Sequence, residues 1–288
     1  MRIGIAVKPG LVEARETLAG IEQWLASNNV EAVWELAAAT LLGAGDRRVA
    51  ERADLPREVD LVLVLGGDGT LLALAKAIAE ADRDIPILAV NFGSLGFLTE
   101  ITRPEIYSSL ESVLEGRAAH DERMMLRAVA TRAGLAPSTH VALNDIVFTR
   151  TALSRMIDLA VWVGDQFVAS VRADGLIVAS PTGSTAYNLA AGGPIVHPAM
   201  DALVLTPIAP HTLTNRPIVI PAERDVRVKS TGANAGNVYV TFDGQSGFDM
   251  REGDEIAIAR APRPLRLVRS SSRSYFEVLR QKLKWNER

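Results

Sequence analysis

The sequence predicts an α/β N-terminal domain with a largely parallel, phosphofructokinase-like sheet, followed by a β-rich C-terminal domain. Three observations carry this. Apolar runs at 3–7, 60–65 and 85–91 alternate with segments of helical period over the first 120 residues. Past that point the pattern becomes short segments of period two, many separated by glycine turns. The length, 288 residues, corresponds to two domains at about 150 residues each.

The elements follow in order. Ile3 to Val7 is a strand closed by Pro9 and Gly10, and 11–28 is a helix with Leu18, Ile21, Trp24 and Leu25 at helical spacing. Residues 30–36 alternate as a strand with Val30, Ala32, Trp34 and Leu36 on one side. The run 60–65 is a buried strand, 70–80 a helix, 85–91 another buried strand and 104–114 a further helix. Strands are then expected at 123–131, 141–149, 157–164, 166–171, 175–179, 217–220, 226–230, 237–243 and 255–259. Helical character is confined to 185–191, a weaker 199–203 and the terminal 274–284, and 205–217 reads as irregular. The domains are thus 1–120, 121–265 and a closing segment 266–288.

Composition excludes several functions. Apolar residues make up 48% and charged residues 23%, the balance of a globular chain, and the net charge of −3 provides no basic field for nucleic acid. The last 29 residues are locally basic, and alternation explains this, with Leu265 and Leu267 inward and Arg266 outward. Absence of cysteine excludes disulfides, Cys-ligated metals and a thiol nucleophile, and fits a cytoplasmic location. No apolar run approaches the roughly 20 residues of a membrane span. The four histidines are scattered and receive no catalytic role.

Four segments carry chemistry. In LVLVLGGDGTLL a buried strand ends in Gly66-Gly67-Asp68-Gly69, and Thr70 opens a helix. Glycines let backbone approach a ligand, and the free N–H groups of a helix start favour phosphate. Asp68 would repel that phosphate unless it accepts a proton or holds Mg²⁺; a mere helix cap is the bland alternative. The spacing is neither a Walker loop nor a dehydrogenase dinucleotide fingerprint. Next, NFGSLGFLTE places Asn91 and Phe92 at the following strand end, beside the first loop. In LNDIVF, Asn144 and Asp145 offer an amide and a carboxylate able to pair with ribose hydroxyls. Finally, RADGLIVASPTGSTAYNLAAGGPIV holds Arg172, Asp174 and a small, hydroxyl-rich turn on which a flat base could lie, with Thr182, Ser184, Thr185 and Tyr187 as donors. No G-x-S-x-G elbow is present, so this is not a serine hydrolase.

Together GGDGT, NFGSLGFLTE, Asn144-Asp145, SPTGSTAY, FDGQ and the closing YFEVLRQKLKW resemble the NAD kinase family over nearly the whole chain. Lipid kinases of the diacylglycerol and sphingosine type share the glycine turn but not SPTGSTAY. One departure is Asp145, where bacterial members commonly have Glu. The resemblance implies transfer of a phosphoryl group from ATP or polyphosphate to the 2′-hydroxyl of the adenosine ribose of NAD, giving NADP. It implies Asp68 as base, with Gly66, Gly67, Gly69 and Thr70 cradling the donor phosphates. The implied NAD contacts are Asp68, Gly69, Asn91, Phe92, Asn144, Asp145, Arg155, Arg172, Asp174, the stretch Thr185, Ala186, Tyr187, Asn188, Leu189 and Ala190, and Gln245. It further implies Mg²⁺ carried by donor phosphates without protein metal ligands, a terminal segment packed back on the first domain, and a homodimer or homotetramer. The rival readings are a lipid kinase and a catalytically silent nucleotide sensor.

Overall fold

Why the first sheet forms is plain from its three central strands, which are apolar except for one end residue in two of them and almost wholly buried on both faces. The computed structural model describes residues 1–151, 156–212, 214–231, 235–269 and 273–285. The chain opens with β1 (Arg2–Val7), α1 (Arg15–Ser27), β2 (Glu31–Glu35), α2 (Leu36–Leu42), β3 (Val49–Ala50) and α3 (Leu55–Glu58). It continues with β4 (Leu61–Gly66), α4 (Asp68–Glu80), β5 (Ile87–Asn91), α5 (Ile106–Leu114) and β6 (His120–Arg123). Then follow β7 (Leu126–Thr131), β8 (Ser138–Ala142), β9 (Asp145–Arg150), β10 (Ile157–Val163), β11 (Gln166–Ala173) and β12 (Gly175–Ala179). After α6 (Tyr187–Ala190) come β13 (Ala202–Ile208), β14 (Ile218–Pro221), β15 (Val226–Thr231), β16 (Val238–Phe242), β17 (Ser246–Met250) and β18 (Glu255–Arg260). The described chain closes with β19 (Leu265–Val268) and α7 (Tyr275–Leu283).

The chain divides into two compact units: Met1–Glu122 with Leu265–Arg288, and Arg123–Pro264. The first unit holds a seven-stranded sheet in the order β3-β2-β1-β4-β5-β19-β6. The pairs β2–β3, β1–β2, β1–β4, β4–β5 and β5–β19 are all parallel. Strand order reverses between β1 and β4, and in such sheets ligands bind outside the carboxyl ends at that point. Helix α7 starts with a capping box, in which Ser274 N–H donates to Glu277 at 2.7 Å. The basic tail alternates as expected: Leu265 and Leu267 are buried, while Arg266 bonds Asp84 at 2.7 Å.

The second unit is two six-stranded sheets, β11-β10-β15-β18-β7-β8 and β14-β13-β12-β9-β16-β17. Strands β7 and β15 alternate buried with more exposed residues. Strand β12 is buried at every position, because one face joins the main core and the other packs with Val196, Ala202 and Val204.

Four expectations fail locally. Leu36 does not continue the strand; the Leu/Ala-rich run Leu36–Leu42 forms α2, and Leu36 is exposed. The 199–203 segment is not helical, and 205–217 is not irregular throughout, since β13 runs from Ala202 to Ile208. Pro207 is tolerated there because β14 pairs with β13 only as far as Leu205. Helix α4 begins at Asp68, two residues before Thr70, since extended Gly67 already ends the strand.

Candidate active site

The glycine turn after β4 is shaped by what surrounds it. A Cβ on Gly66 would lie 2.7 Å from Thr70 Oγ1 and 3.2 Å from Lys8 Cβ, so no side chain fits. At Gly67 and Gly69 a Cβ would meet nothing within 4 Å, which leaves open space in front of the turn. Thr70 is buried, and its N–H returns to Gly67 O at 3.0 Å to start α4. Lys8, exposed at the carboxyl end of β1, is fastened to β4 by its N–H to Leu65 O at 2.9 Å. The sequence marks Lys8 only as a basic residue directly after the first apolar strand; its place where the strand order reverses comes from the fold.

Asp68 is half-buried and heavily bonded. Its Oδ2 accepts from Phe97 N–H at 2.9 Å. Its Oδ1 accepts from Leu98 N–H at 3.3 Å, Thr99 N–H at 3.1 Å and Thr99 Oγ1–H at 3.0 Å. A Cβ on Gly96 would overlap Asp68 Oδ1, so glycine is required there. The expected neighbourhood of the first two loops is therefore found, and Phe92 N–H also donates to Gly66 O at 3.0 Å.

Asn91, at the end of β5, is buried and spends its amide inside the second loop. Its Nδ2 donates to Ser94 O at 2.8 Å and to Thr99 Oγ1 at 3.0 Å, and its Oδ1 accepts from Gly93 N–H at 2.7 Å. Phe92 is half-buried beneath the Arg103 guanidinium, 5.0 Å from the ring centre. With Thr102, Arg103, Arg273 and Gln281, these two residues line a cleft of about 420 Å³.

In the second unit one carboxylate assembles a turn. Asp243 accepts from Leu143 N–H at 2.7 Å, Asn144 N–H at 2.7 Å and Asp145 N–H at 3.1 Å. The SPTGSTAY segment is fixed onto the same turn. Ser180 N–H donates to Asn144 O at 2.9 Å, Ser180 Oγ–H donates to Leu143 O at 2.5 Å, and a Cβ on Gly183 would overlap Asn144 O. Asn144, Asp145, Ala186, Tyr187, Thr241 and Asp243 line a cleft of about 360 Å³. Burial, reinforced by the neighbouring Asp243 charge, pushes the Asp145 carboxyl up to about 7. The FDGQ motif points to Gln245, whereas the residue that builds this turn is Asp243.

Other expected residues fall elsewhere. Ser184 is fully buried; its hydroxyl donates to Pro181 O at 2.6 Å and accepts from Val196 N–H at 2.9 Å, so it offers no donor to a ligand. Asn188 is likewise buried, with its amide spanning Ser184 O, Pro194 O and the Thr206 hydroxyl. Thr185 Oγ1–H donates to Thr182 O at 3.3 Å, Leu189 is half-buried, and Tyr187 and Ala190 are exposed. Arg172, Asp174 and Gln245 do not line the cleft; Asp174 pairs with Arg150 at 3.0 Å, and Arg172 lies 3.9 Å from Asp158. Arg155 lies outside the described residues.

Comparisons with known proteins agree in both halves. Residues 3–118 match the family description ATP-NAD kinase N-terminal domain, and residues 143–270 match ATP-NAD kinase C-terminal domain. An NAD kinase of Geotalea daltonii is 52% identical over 239 residues, covering 83% of each chain. That of Syntrophotalea carbinolica is 45% identical over 100% of this chain and 99% of its own. Among solved structures, yeast NADH kinase complexed with NADH superimposes with a TM-score of 0.91 at 26% identity, covering 100% of this chain and 89% of that one. An NAD kinase from Archaeoglobus fulgidus in complex with ATP gives 0.76 at 26% identity, with 99% of each chain covered.

Proposed function

The chain belongs to the ATP-NAD kinase family, and on that premise we propose a division of labour among its residues in making NADP. The reaction is transfer of a phosphoryl group from ATP to the 2′-hydroxyl of the adenosine ribose of NAD. The observation that carries the assignment of roles is Asp68 itself: one carboxylate between two glycines at a strand end, beside open space.

A ribose hydroxyl is a weak nucleophile at neutral pH, and a carboxylate in hydrogen-bond reach orients it and takes its proton. Asp68 has that role. The glycine turn 66–69 at the start of α4 cradles the donor phosphates, with the Gly67 N–H donating to a phosphate oxygen, and Lys8 adds a positive charge at the same loop. Asn144 and Asp145 hold the adenosine ribose, and Ala186 and Tyr187 offer the wall for the base. Ser184 and Asn188 shape that wall from beneath. The polar side chains of Asn144, Asp145, Thr241 and Asp243 in that lining suit a ribose better than acyl chains, which disfavours the lipid kinase.

Among the described residues no group of three or more His, Asp or Glu side chains gathers for a metal. Mg²⁺ belongs to this reading as a companion of the donor phosphates, where it would offset charge on the transferring group. A cytoplasmic homo-oligomer belongs to the same reading. Supporting it are the cysteine-free composition and exposed Phe167, Val168, Ile218 and Val219 on the edge strands β11 and β14. No helix among the described residues is long and apolar enough to cross a membrane.

The test is labelled phosphoryl transfer from ATP or polyphosphate with Mg²⁺. The acceptors are NAD, NADH, an NAD analogue carrying 2′-deoxyadenosine, and diacylglycerol. NAD with ATP is expected to give NADP, whereas the deoxy analogue and the lipid accept nothing. Label on the deoxy analogue would remove Asp68 from the 2′ position, and label on lipid would restore the rival kinase.

A further inference from the structure

Asn91 and Thr99 are bonded in series to Asp68, and the direction of each bond is fixed by chemistry. Gly93 N–H can only donate, so the Asn91 atom facing it at 2.7 Å is the carbonyl Oδ1. Ser94 O can only accept, so the atom facing it at 2.8 Å is Nδ2. The second Nδ2 proton then goes to Thr99 Oγ1 at 3.0 Å. A hydroxyl that already accepts from Asn91 turns its own proton outward, and Asp68 Oδ1 lies 3.0 Å away to receive it. Thr99 is fully buried, so water does not replace either partner.

The consequence at Asp68 is asymmetric. Among the described residues, Oδ1 receives the Thr99 hydroxyl and two backbone N–H groups, while Oδ2 receives only Phe97 N–H. A carboxylate oxygen has about two acceptor directions, so Oδ1 is full and Oδ2 keeps one open. We infer that Asn91 and Thr99 are positioning residues that hold the Asp68 carboxylate by Oδ1 and present Oδ2 to the substrate hydroxyl. This rests on the reading of Asp68 as the base. In the step, the 2′-hydroxyl proton passes to Asp68 Oδ2 and the ribose oxygen forms a bond to the γ-phosphorus. The bond from that phosphorus to the β,γ-bridging oxygen breaks, and ADP leaves with the electron pair. Asn91, expected to touch NAD, acts instead through Thr99.

The experiment compares full-length Thr99→Val, Thr99→Ser and Thr99→Ala with Asp68→Asn under saturating and limiting NAD and ATP. Valine keeps the shape and removes the hydroxyl; serine keeps the hydroxyl. Loss of one hydrogen bond to a charged group predicts kcat down about 10-fold for Thr99→Val, with both KM values unchanged and Thr99→Ser restoring turnover. Wild-type kcat in Thr99→Val overturns the relay, and so does a rise in KM for NAD at constant kcat, which would make the loop a binding wall. Where Thr99→Val does not fold, the serine and alanine variants decide: equal loss in both means packing alone and ends the proposal. Asp68→Asn separates the two layers. Full turnover there refutes the base, whereas a dead Asp68→Asn beside an active Thr99→Val refutes only the relay.

Discussion

Asp68 and Asp243 do the same structural job in different units, and they differ in what is left over once it is done. Each precedes a glycine, and each binds three successive backbone N–H groups of another turn: Phe97 to Thr99 for Asp68, Leu143 to Asp145 for Asp243. Asp68 sits at the start of α4 and also takes the Thr99 hydroxyl, with open space at the glycines on either side. Asp243 sits in a hairpin turn with a φ of +51°, followed by Gly244 at +64°, the pair of positive angles that a type I′ turn demands. Its neighbour is a second carboxyl, Asp145, whose proton affinity its charge helps to raise. On the proposed reading, one carboxylate is thus both a strut and a reactive group. The other is a strut whose charge tunes the group beside it.

The sharpest way to break the comparison is the same substitution at both places. Asp68→Asn is expected to keep the fold and lose on the order of 10²–10⁴ in kcat, the usual worth of a positioned base. Asp243→Asn keeps a residue tolerant of positive φ and weakens the charge-assisted bonds to the turn. Its expected signature is a raised KM for NAD and a lower Tm, with a far smaller change in kcat. Steady-state kinetics and thermal unfolding of both variants check this. A matching loss of kcat at Asp243 would give it a chemical role and erase the distinction.

The glycine turn offers a second, smaller contrast, because its partner there is a cation. Lys8→Ala should raise KM for ATP about 10-fold, the worth of one charge-assisted contact, and leave KM for NAD alone. Titration of ATP at saturating NAD, and the reverse, reads the split. Equal effects on both substrates would detach Lys8 from the donor phosphates.

How much of this could be read from the chain depended on whether the signal was local. Strands β1, β4 and β5 announce themselves as apolar runs, and α4 follows from the glycines that end β4. Asp68 stood out because glycines flank it. Helix α2 was hidden because Val30, Ala32, Trp34 and Leu36 continue a period of two past Glu35, although Leu36–Leu42 is a good helix former. Strand β13 was hidden by Pro207, whose missing N–H is harmless only where the neighbouring strand has ended. The Asp-Gly turn at Asp243 reads locally as a hairpin; its reach to Leu143, 100 residues away in sequence, does not. Ser184 and Asn188 looked available because their side chains are polar. Their burial comes from Val196, Pro194 and Thr206, which no local pattern brings near.

The smallest expected effect tests the Asp145–Asp243 pair through stability. Folding raises the Asp145 carboxyl from an ordinary 3.8 to about 7. Between those values the folded chain binds more protons than the unfolded chain, so this group's contribution to stability falls as pH rises through that window. Above about pH 7 the folded protein carries the whole cost of a buried carboxylate beside Asp243. Asp145→Asn removes the charge and keeps the shape. It is therefore expected to raise Tm by a few degrees at pH 8, with the gain shrinking steadily as pH falls toward 4. The same variant should raise KM for NAD, since an amide presents one accepting oxygen to the two ribose hydroxyls where a carboxylate presents two. Thermal unfolding of wild type and variant across that pH range, with KM measured at pH 8, tests both halves. A stabilisation independent of pH would mean that the gain comes from packing and that Asp243 does not tune its neighbour. A fall in Tm at pH 8 would mean that ionised Asp145 is itself a strut, and the two carboxylate sites would then be alike.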